Sequence, residues 1–359
     1  MRWVTTSERL DHENDLTARY VRMDARGAEQ LALEQYGIPG LATRLETEKD
    51  DTFRLDCEDG RRVILKVANP AERALDIDLQ VSVLEYVSAR DVDLPVPTVI
   101  PDNRGRRVVQ FTDHAHQPRI ARLLSFVAGV PLDSVPGSRS QRREVGHLLG
   151  RLRHAMAGFD HPGASRVLAW DVQHLTRLAA LLDAVPDERR RAQLRRGLER
   201  FAALSPKLRG LRRQVLHNDF SKSNLIMASD DPDQLVGLID FGDVVRTAIA
   251  IDVATALLNQ LPRDVNAPYD VDIFADGRDL LAGYLEVADL TSTELELLPH
   301  LVMGRVIARA IITHHRASIF PENERYIMRN TEPGWEQLAW FLSRSEADAS
   351  ATFVDFMTS

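Results

Sequence analysis

Val215-Leu216-His217-Asn218-Asp219-Phe220-Ser221-Lys222-Ser223-Asn224-Leu225-Ile226 is the stretch on which the reading of the whole chain turns. Two apolar pairs bracket a polar stretch, the pattern of short strands flanking a tight loop, so the polar residues form the loop. Within it His217, Asp219 and Asn224 keep the spacing His-x-Asp-x-x-x-x-Asn. A little further on, Leu235-Val236-Gly237-Leu238-Ile239 reads as a buried strand that ends in Asp240-Phe241-Gly242. The Asp240 carboxylate therefore emerges at a strand end beside the loop.

Phosphoryl transfer asks for a group to hold the acceptor hydroxyl, cations on the phosphate oxygens, and anions to fix those cations. The two segments match the catalytic and metal-binding loops in which an Asp takes the hydroxyl proton and an Asn and a second Asp hold magnesium. On that reading Asp219 is the proton acceptor, His217 braces the loop, and Asn224 and Asp240 are metal ligands. The structural alternative is an acidic loop with a turn asparagine. The ordered series of motif pieces argues against it.

Lys66 is the third piece. It lies in the strand-like run Arg62-Val63-Ile64-Leu65-Lys66-Val67-Ala68, where a lysine needs an anionic partner or a route to water. Nucleotide phosphates would supply the partner. On the helix expected from about Glu72 to Arg90, Gln80 shares a face with Val83, Leu84 and Val87, whereas Asp78 aligns with Ser82 and Glu85 on a polar row. Geometry thus favours Gln80 as the partner of Lys66. A glutamine brings no charge, so either the lysine is held more weakly or Asp76, one turn earlier on the same face, contributes, and both alternatives stand open.

Length and composition fit a soluble globular chain with room for two substantial cores: 359 residues, 44% apolar and 27% charged. Forty-five basic against fifty-three acidic residues leave a net charge of −8. That balance argues against a dedicated nucleic-acid or anionic-membrane surface and suits a cationic small substrate. The single cysteine, Cys57, alternates in phase with Phe53 and Leu55 and reads as a core residue in a reducing compartment. No apolar run reaches membrane-spanning length and the first residues lack the apolar core of a signal peptide, so the expected location is the cytoplasm.

The first twenty-odd residues are polar and unpatterned. A helix from about Ala28 to Tyr36 should stop at Gly37. Strands follow over Leu41 to Thr47, Thr52 to Cys57 and Arg61 to Ala68, with Asp59-Gly60 as a tight turn. Three more read over Pro95 to Ile100, Arg107 to Phe111 and Ile120 to Val127, with Asn103-Arg104-Gly105 as another turn. Ala128-Gly129-Val130-Pro131 breaks the pattern, and the rest is mostly helical. Helical spacing marks Val145 to Met156, Val172 to Leu182, Arg190 to Leu204 and a helix from Ile251. A long helix opens at Thr291 with Glu294 completing a capping box. The expected fold is α+β and bilobal: residues 1–127 form a small antiparallel β-sheet lobe with one main helix, and residues 128–359 a mostly helical lobe carrying the catalytic loop.

Two absences narrow the chemistry. The turn Glu48-Lys49-Asp50-Asp51-Thr52 lacks glycines that close over phosphates, so backbone amides with Lys49 or Thr52 must serve. Few residues separate Gly242 from the helix at Ile251, which leaves no platform for a peptide acceptor. The acceptor should be small.

The chain resembles the aminoglycoside phosphotransferase-like kinases, and within them the hydroxylysine kinase branch. Glu48 to Phe53, Ile64 to Pro70, Asp93 to Pro97, Phe159 to Pro162, Trp170-Asp171, His217 to Asn224, Ile239 to Asp243, Pro321-Glu322-Asn323 and Gly334-Trp335 carry the likeness, from about residue 40 to 343. The resemblance implies a protein-kinase-like fold and transfer of the γ-phosphate of ATP or GTP, with Mg2+, to an alcohol on a small amine or amino acid such as hydroxylysine. It implies that the backbone of Ser125, Phe126 and Val127 reads the base and puts Trp170 and Asp171 on the acceptor side. Asp243 either joins them by binding a substrate ammonium, holds a metal water, or is a solvated turn carboxylate. Family habit adds functional pairing with a pyridoxal-dependent phospho-lyase. Lys222 lies three residues after Asp219 rather than two, so no transition-state role carries over to it. The alternatives are an antibiotic phosphotransferase and a nucleotide-binding protein that has lost turnover.

Overall fold

In the computed structural model, residues 20–47, 49–263 and 272–357 are described, and the side chains of 355–357 are not. The polar start of the chain, through residue 19, and Glu48 lie outside that set.

Alternating apolar and polar residues in the first third of the chain build one six-stranded antiparallel sheet. Its strands are β1 (Gly40–Leu45), β2 (Asp51–Cys57), β3 (Arg62–Val67), β4 (Val99–Ile100), β5 (Val109–Thr112) and β6 (Pro118–Ser125), ordered β1-β2-β3-β6-β4 with β5 also on β6. The strand expected from Pro95 shrinks to Val99–Ile100, because Pro95 and Pro97 have no N–H to give a ladder. Period-two alternation sends Val63, Leu65 and Val67 to one face, where they pack with Met23, Leu31 and Tyr36 around helix α1 (Ala25–Leu31). That helix continues as a π turn to Tyr36 and ends at Gly37, whose φ of 66° is the left-handed cap the sequence predicts.

Ile64 and Lys66 consequently face the other way, toward α2 (Ala74–Arg90). The apolar stripe of α2, with Leu79, Val83, Leu84 and Val87, belongs to the same continuous core as the C-terminal helices. This shared core holds the sheet against the helical region and fixes Lys66 opposite the catalytic loops.

Beyond β6 the chain turns through Phe126-Val127-Ala128 into β7 (Val130–Pro131), which pairs with β9 (Leu225–Met227). Gly129 has φ 149°, and a Cβ there would sit 2.2 Å from the Met227 carbonyl oxygen. Gly129→Ala is expected to cost about 3 kcal/mol of stability through combined overpacking and backbone strain, read as a lowered urea midpoint. An unchanged midpoint would show that this crossing can relax.

Helices α3 (Arg139–Ala155), α4 (Glu188–Ala203), α5 (Ile249–Leu258), α6 (Ala275–Leu285) and α7 (Ser292–Ile319) contribute to the same core, which Leu175, Leu338 and Phe341 also enter. The amphipathic stretch from Val172 is a 3-10 helix to Ala184 rather than an α-helix. Thr291 and Glu294 form the expected capping box on α7, a 28-residue helix buried along most of its length. Among the described residues no helix is long and apolar enough to cross a membrane.

Candidate active site

Strand register brings the two loops together. The antiparallel pair β8 (Arg213–Leu216) and β11 (Val245–Ala248) sets Leu216 opposite Val245, while β9 and β10 (Leu235–Leu238) set Leu225 opposite Leu238. The loops 217–224 and 239–244 therefore leave these ladders side by side. His217 is buried and its Nδ1 accepts from the Asp219 N–H at 3.3 Å, so Nε2 carries the ring proton. Burial pushes its pKa down to about 4, leaving it neutral, and its ring meets Phe241 edge-on at 4.7 Å.

Asn218, in the left-handed region at φ 60°, donates its backbone N–H to Asp252 Oδ1 at 2.7 Å. Asp252 thus anchors the catalytic loop to α5. Burial pushes its carboxyl up to about 7. In the folded protein Asp252 keeps its proton where the unfolded chain loses it, so this group's contribution to stability falls as pH rises from about 4 to about 7. His217 slopes the opposite way, since its stability is lost as pH falls from the unfolded value near 6.5 toward about 4. Asp252→Asn keeps the acceptor oxygen and removes one slope. Its melting temperature is expected to fall more steeply with acid than the natural protein's between pH 7 and 4. Identical profiles would contradict the shift.

Around the mouth the site residues form two pairs. Asn224 donates Nδ2–H to Asp219 Oδ2 at 2.6 Å and to the Asp219 carbonyl at 3.1 Å. Lys66 Nζ donates to Asp240 Oδ1 at 3.2 Å, across 174 residues of sequence. Asp240 adopts φ 63° and also accepts from the Gly242 N–H, which leaves its carboxylate half exposed at the strand end. The Lys66 ammonium holds the Asp240 carboxyl down to about 2. Asp219 moves the other way, its carboxyl raised by burial and by the neighbouring Asp243.

The partner expected for Lys66 needs correction. Register sets Arg122 of β6 directly beside Lys66, and the more forked cation takes the helix residue: Arg122 Nη2 donates to Gln80 Oε1 at 2.6 Å and to Asp50 at 3.1 Å. Gln80 Nε2 donates to Glu72. Asp76 pairs with Arg73 and lies 3.9 Å from Arg166, so it does not serve Lys66 either. Glu72 and Asp50 are buried together, and burial with that like charge raises the Glu72 carboxyl. Thr52 lies opposite Lys66 on β2, buried, with its hydroxyl unpartnered among the described residues. Lys49 is half-buried in the same turn. At the other end, Ser125 bonds Thr98 through its N–H and its hydroxyl, while Phe126 and Val127 are half-buried.

Asp171 also needs correction as an acceptor contact. It is fully buried, caps the 3-10 helix at the Gln173 N–H and accepts from Thr247 Oγ1 at 3.0 Å, so no acceptor can touch it. Trp170 gives its carbonyl to Arg305 Nη1, with its ring 5.8 Å from that guanidinium. Asp243 is half-buried near Asp219. Arg246 pairs with Asp160 at 2.6 Å.

Besides Arg122, two further cations near the site escaped the sequence reading. Arg305 of α7 is buried within electrostatic reach of Asp219, Asp243, Asp171 and Asp252 and balances all four. Arg166 donates to the carbonyls of Gly242 at 2.5 Å and Val244 at 2.8 Å, fastening the Asp240-Phe241-Gly242 turn. The signal for Arg305 was an arginine inside an otherwise apolar helical stretch, a residue seldom buried without partners.

Oxygen donors suit a hard divalent cation. Asn224 engages Asp219 through its N–H, which leaves its own carbonyl oxygen out of that bond, and the two hydrogen bonds to Asp240 fall on one carboxylate oxygen and leave the other open. Magnesium commonly takes one or two protein ligands and completes its octahedron with phosphate oxygens and water. Among the described residues no cluster of three or more His, Cys, Asp or Glu side chains offers a closed metal cage. The donor set therefore fits a metal shared with a bound polyphosphate.

A family model described as a phosphotransferase enzyme family matches residues 43–290. The chain is 24% identical to a hydroxylysine kinase of Mus musculus over 317 residues, covering 82% of each chain. It is 29% identical to a homoserine kinase of Agrobacterium fabrum over 234 residues, 65% of this chain and 66% of that one. Among solved structures, a microcompartment-associated aminopropanol kinase superposes with a TM-score of 0.64 at 22% identity, covering 90% of this chain and 99% of that chain.

Proposed function

The chain belongs to the phosphotransferase enzyme family, and on that premise we propose that it moves the γ-phosphate of ATP or GTP to a hydroxyl of a small amine-bearing acceptor. An amino alcohol or a hydroxy amino acid fits best. The observation that carries this reading is the convergence of Lys66, Asp240, Asn224 and Asp219 through two hydrogen-bonded pairs at one mouth.

Each residue has a distinct task. Asn224 fixes one Asp219 oxygen and leaves the other for the acceptor hydroxyl. As the acceptor oxygen bonds to the γ-phosphorus, its proton passes to Asp219. The bond from that phosphorus to the β–γ bridging oxygen breaks, and its electron pair leaves with the nucleoside diphosphate. The raised pKa of Asp219 suits a group that must accept a proton during the step. Lys66 is placed to move from Asp240 onto phosphate oxygens. Asn224 and Asp240 would hold magnesium, which when bound offsets charge on those oxygens. The backbone of Phe126 and Val127 would face the base.

Only residues 243–248 separate the Asp-Phe-Gly turn from α5, and four of them form β11. That leaves no extended segment for a peptide. The relatives named for hydroxylysine, homoserine and aminopropanol point the same way, to alcohols on small amine-bearing molecules. Incubation of the purified protein with ATP or GTP, magnesium and such acceptors, followed by 31P NMR, should give a new phosphate monoester. Nucleotide binding without any ester would reject the reading.

A further inference from the structure

We propose that Arg309 and Arg263, joined through Asn330, form an anion subsite on the acceptor side of Asp219 that receives the carboxylate of a hydroxy amino acid. The proposal rests on the phosphotransfer reading above and selects between its two acceptor classes.

Helical spacing places Arg305 and Arg309 on one face of α7, four residues apart. Their surroundings differ. Arg305 is balanced by four carboxylates, whereas among the described residues Arg309 has Asp219 as its one nearby carboxylate and two cations, Arg305 and Arg263, as its other charged neighbours. Its hydrogen bond, to the Asn330 carbonyl, is long at 3.4 Å. Arg263 reaches the same asparagine, donating to Oδ1 at 2.9 Å. Two guanidinium groups thus converge on one neutral residue, and among the described residues neither is in an ion pair. Burial first, and then Arg305 and Arg263, pull the Arg309 pKa down to about 10.

An open space lies alongside. Arg263 and Asn330 line a cavity of about 380 Å³ whose wall includes Lys222 and Ser223 of the catalytic loop. Of the acidic residues facing this cavity among the described residues, Asp276 is already paired with Arg142 at 3.2 Å, leaving Asp133. A chain that is acidic overall therefore offers its acceptor a cationic surface. Guanidinium forks match a planar carboxylate through paired charge-assisted hydrogen bonds. A polycationic antibiotic would meet like charge here, and an amino alcohol would leave the arginines unanswered.

The terminal phosphate of the nucleotide is the other anion with suitable chemistry, and the test separates the two. Steady-state kinetics of the full chain are measured with homoserine against 3-aminopropan-1-ol, and with 5-hydroxylysine against 1,5-diaminopentan-2-ol, each pair differing by the carboxylate. The natural protein is expected to favour the carboxylate-bearing member of the pair it accepts by about 100-fold in kcat/KM. Arg309→Gln should bring that ratio close to one by raising the acceptor KM, with the nucleotide KM unchanged. Arg309→Lys should keep part of the preference, since charge remains and the fork is lost. Arg263→Gln, at an exposed position that tolerates change, should move the ratio in the same direction and keeps the test decisive if the Arg309 variants fail to fold. A natural protein that does not discriminate within the pair would overturn the subsite. So would variants that raise the nucleotide KM and leave acceptor preference intact, which would assign the arginines to phosphate. Absence of transfer to every acceptor would instead overturn the phosphotransfer reading, and the subsite with it.

Discussion

Asp219→Asn should lower turnover by about a thousandfold, the scale of a positioned general base, while nucleotide affinity changes by no more than about threefold. The separation follows from geometry. Asp219 is tied to Asn224 and Lys66 to Asp240, and on the proposed assignment the first pair serves the acceptor and the second serves phosphate and metal. Asparagine keeps the shape and the hydrogen-bonding oxygen but cannot accept the proton. The natural enzyme should also show an acid limb in its rate profile. Asp219 must be ionised to act, and burial with Asp243 raises its pKa, so the rate climbs with pH above the usual aspartate range. The variant should lack that limb. Coupled-assay turnover and calorimetric nucleotide titration check both halves, and unchanged turnover would remove Asp219 from the chemistry.

Asp240→Ala is expected to cost about a thousandfold as well, by a different route. It removes one of the two proposed metal ligands and the anion that now holds Lys66. Because Lys66 keeps the Asp240 carboxyl at about 2 in the nucleotide-free protein, this carboxylate is already charged when metal and nucleotide arrive, and metal capture should not decline until strongly acidic pH. Raising magnesium should recover part of the activity of Asp240→Ala, with Asn224 and phosphate still able to bind it, and none of the activity of Asp219→Asn. Titration of rate against magnesium for both variants reads the difference. Equal responses would mean that Asp240 does not serve the metal.

What could be read in advance was whatever is encoded locally. The apolar pairs around His217 to Asn224, the strand ending at Asp240, the glycine after Tyr36 and the Thr291–Glu294 box are short-range patterns, and each formed the element its pattern predicts. Pairing across the chain was harder. Nothing near Gln80 announces that β6 will lay Arg122 beside Lys66, and once it does, a buried guanidinium that must be satisfied takes the glutamine. Asp171 shows the same limit, since a carboxylate in a Trp-Asp pair looks available until the fold buries it under Thr247 and Gln173. Arg305 and Arg309 were hidden by their apolar helix. Their meaning depends on which carboxylates other elements deliver to them.

A crystal soaked with magnesium and a non-hydrolysable triphosphate measures the central claim most directly. Lys66 Nζ should have left Asp240 for phosphate oxygens, Asn224 Oδ1 and Asp240 should share one metal, and Asp219 should face the γ-phosphorus from the acceptor side. A triphosphate bound elsewhere, or a metal that touches neither Asn224 nor Asp240, would contradict the account.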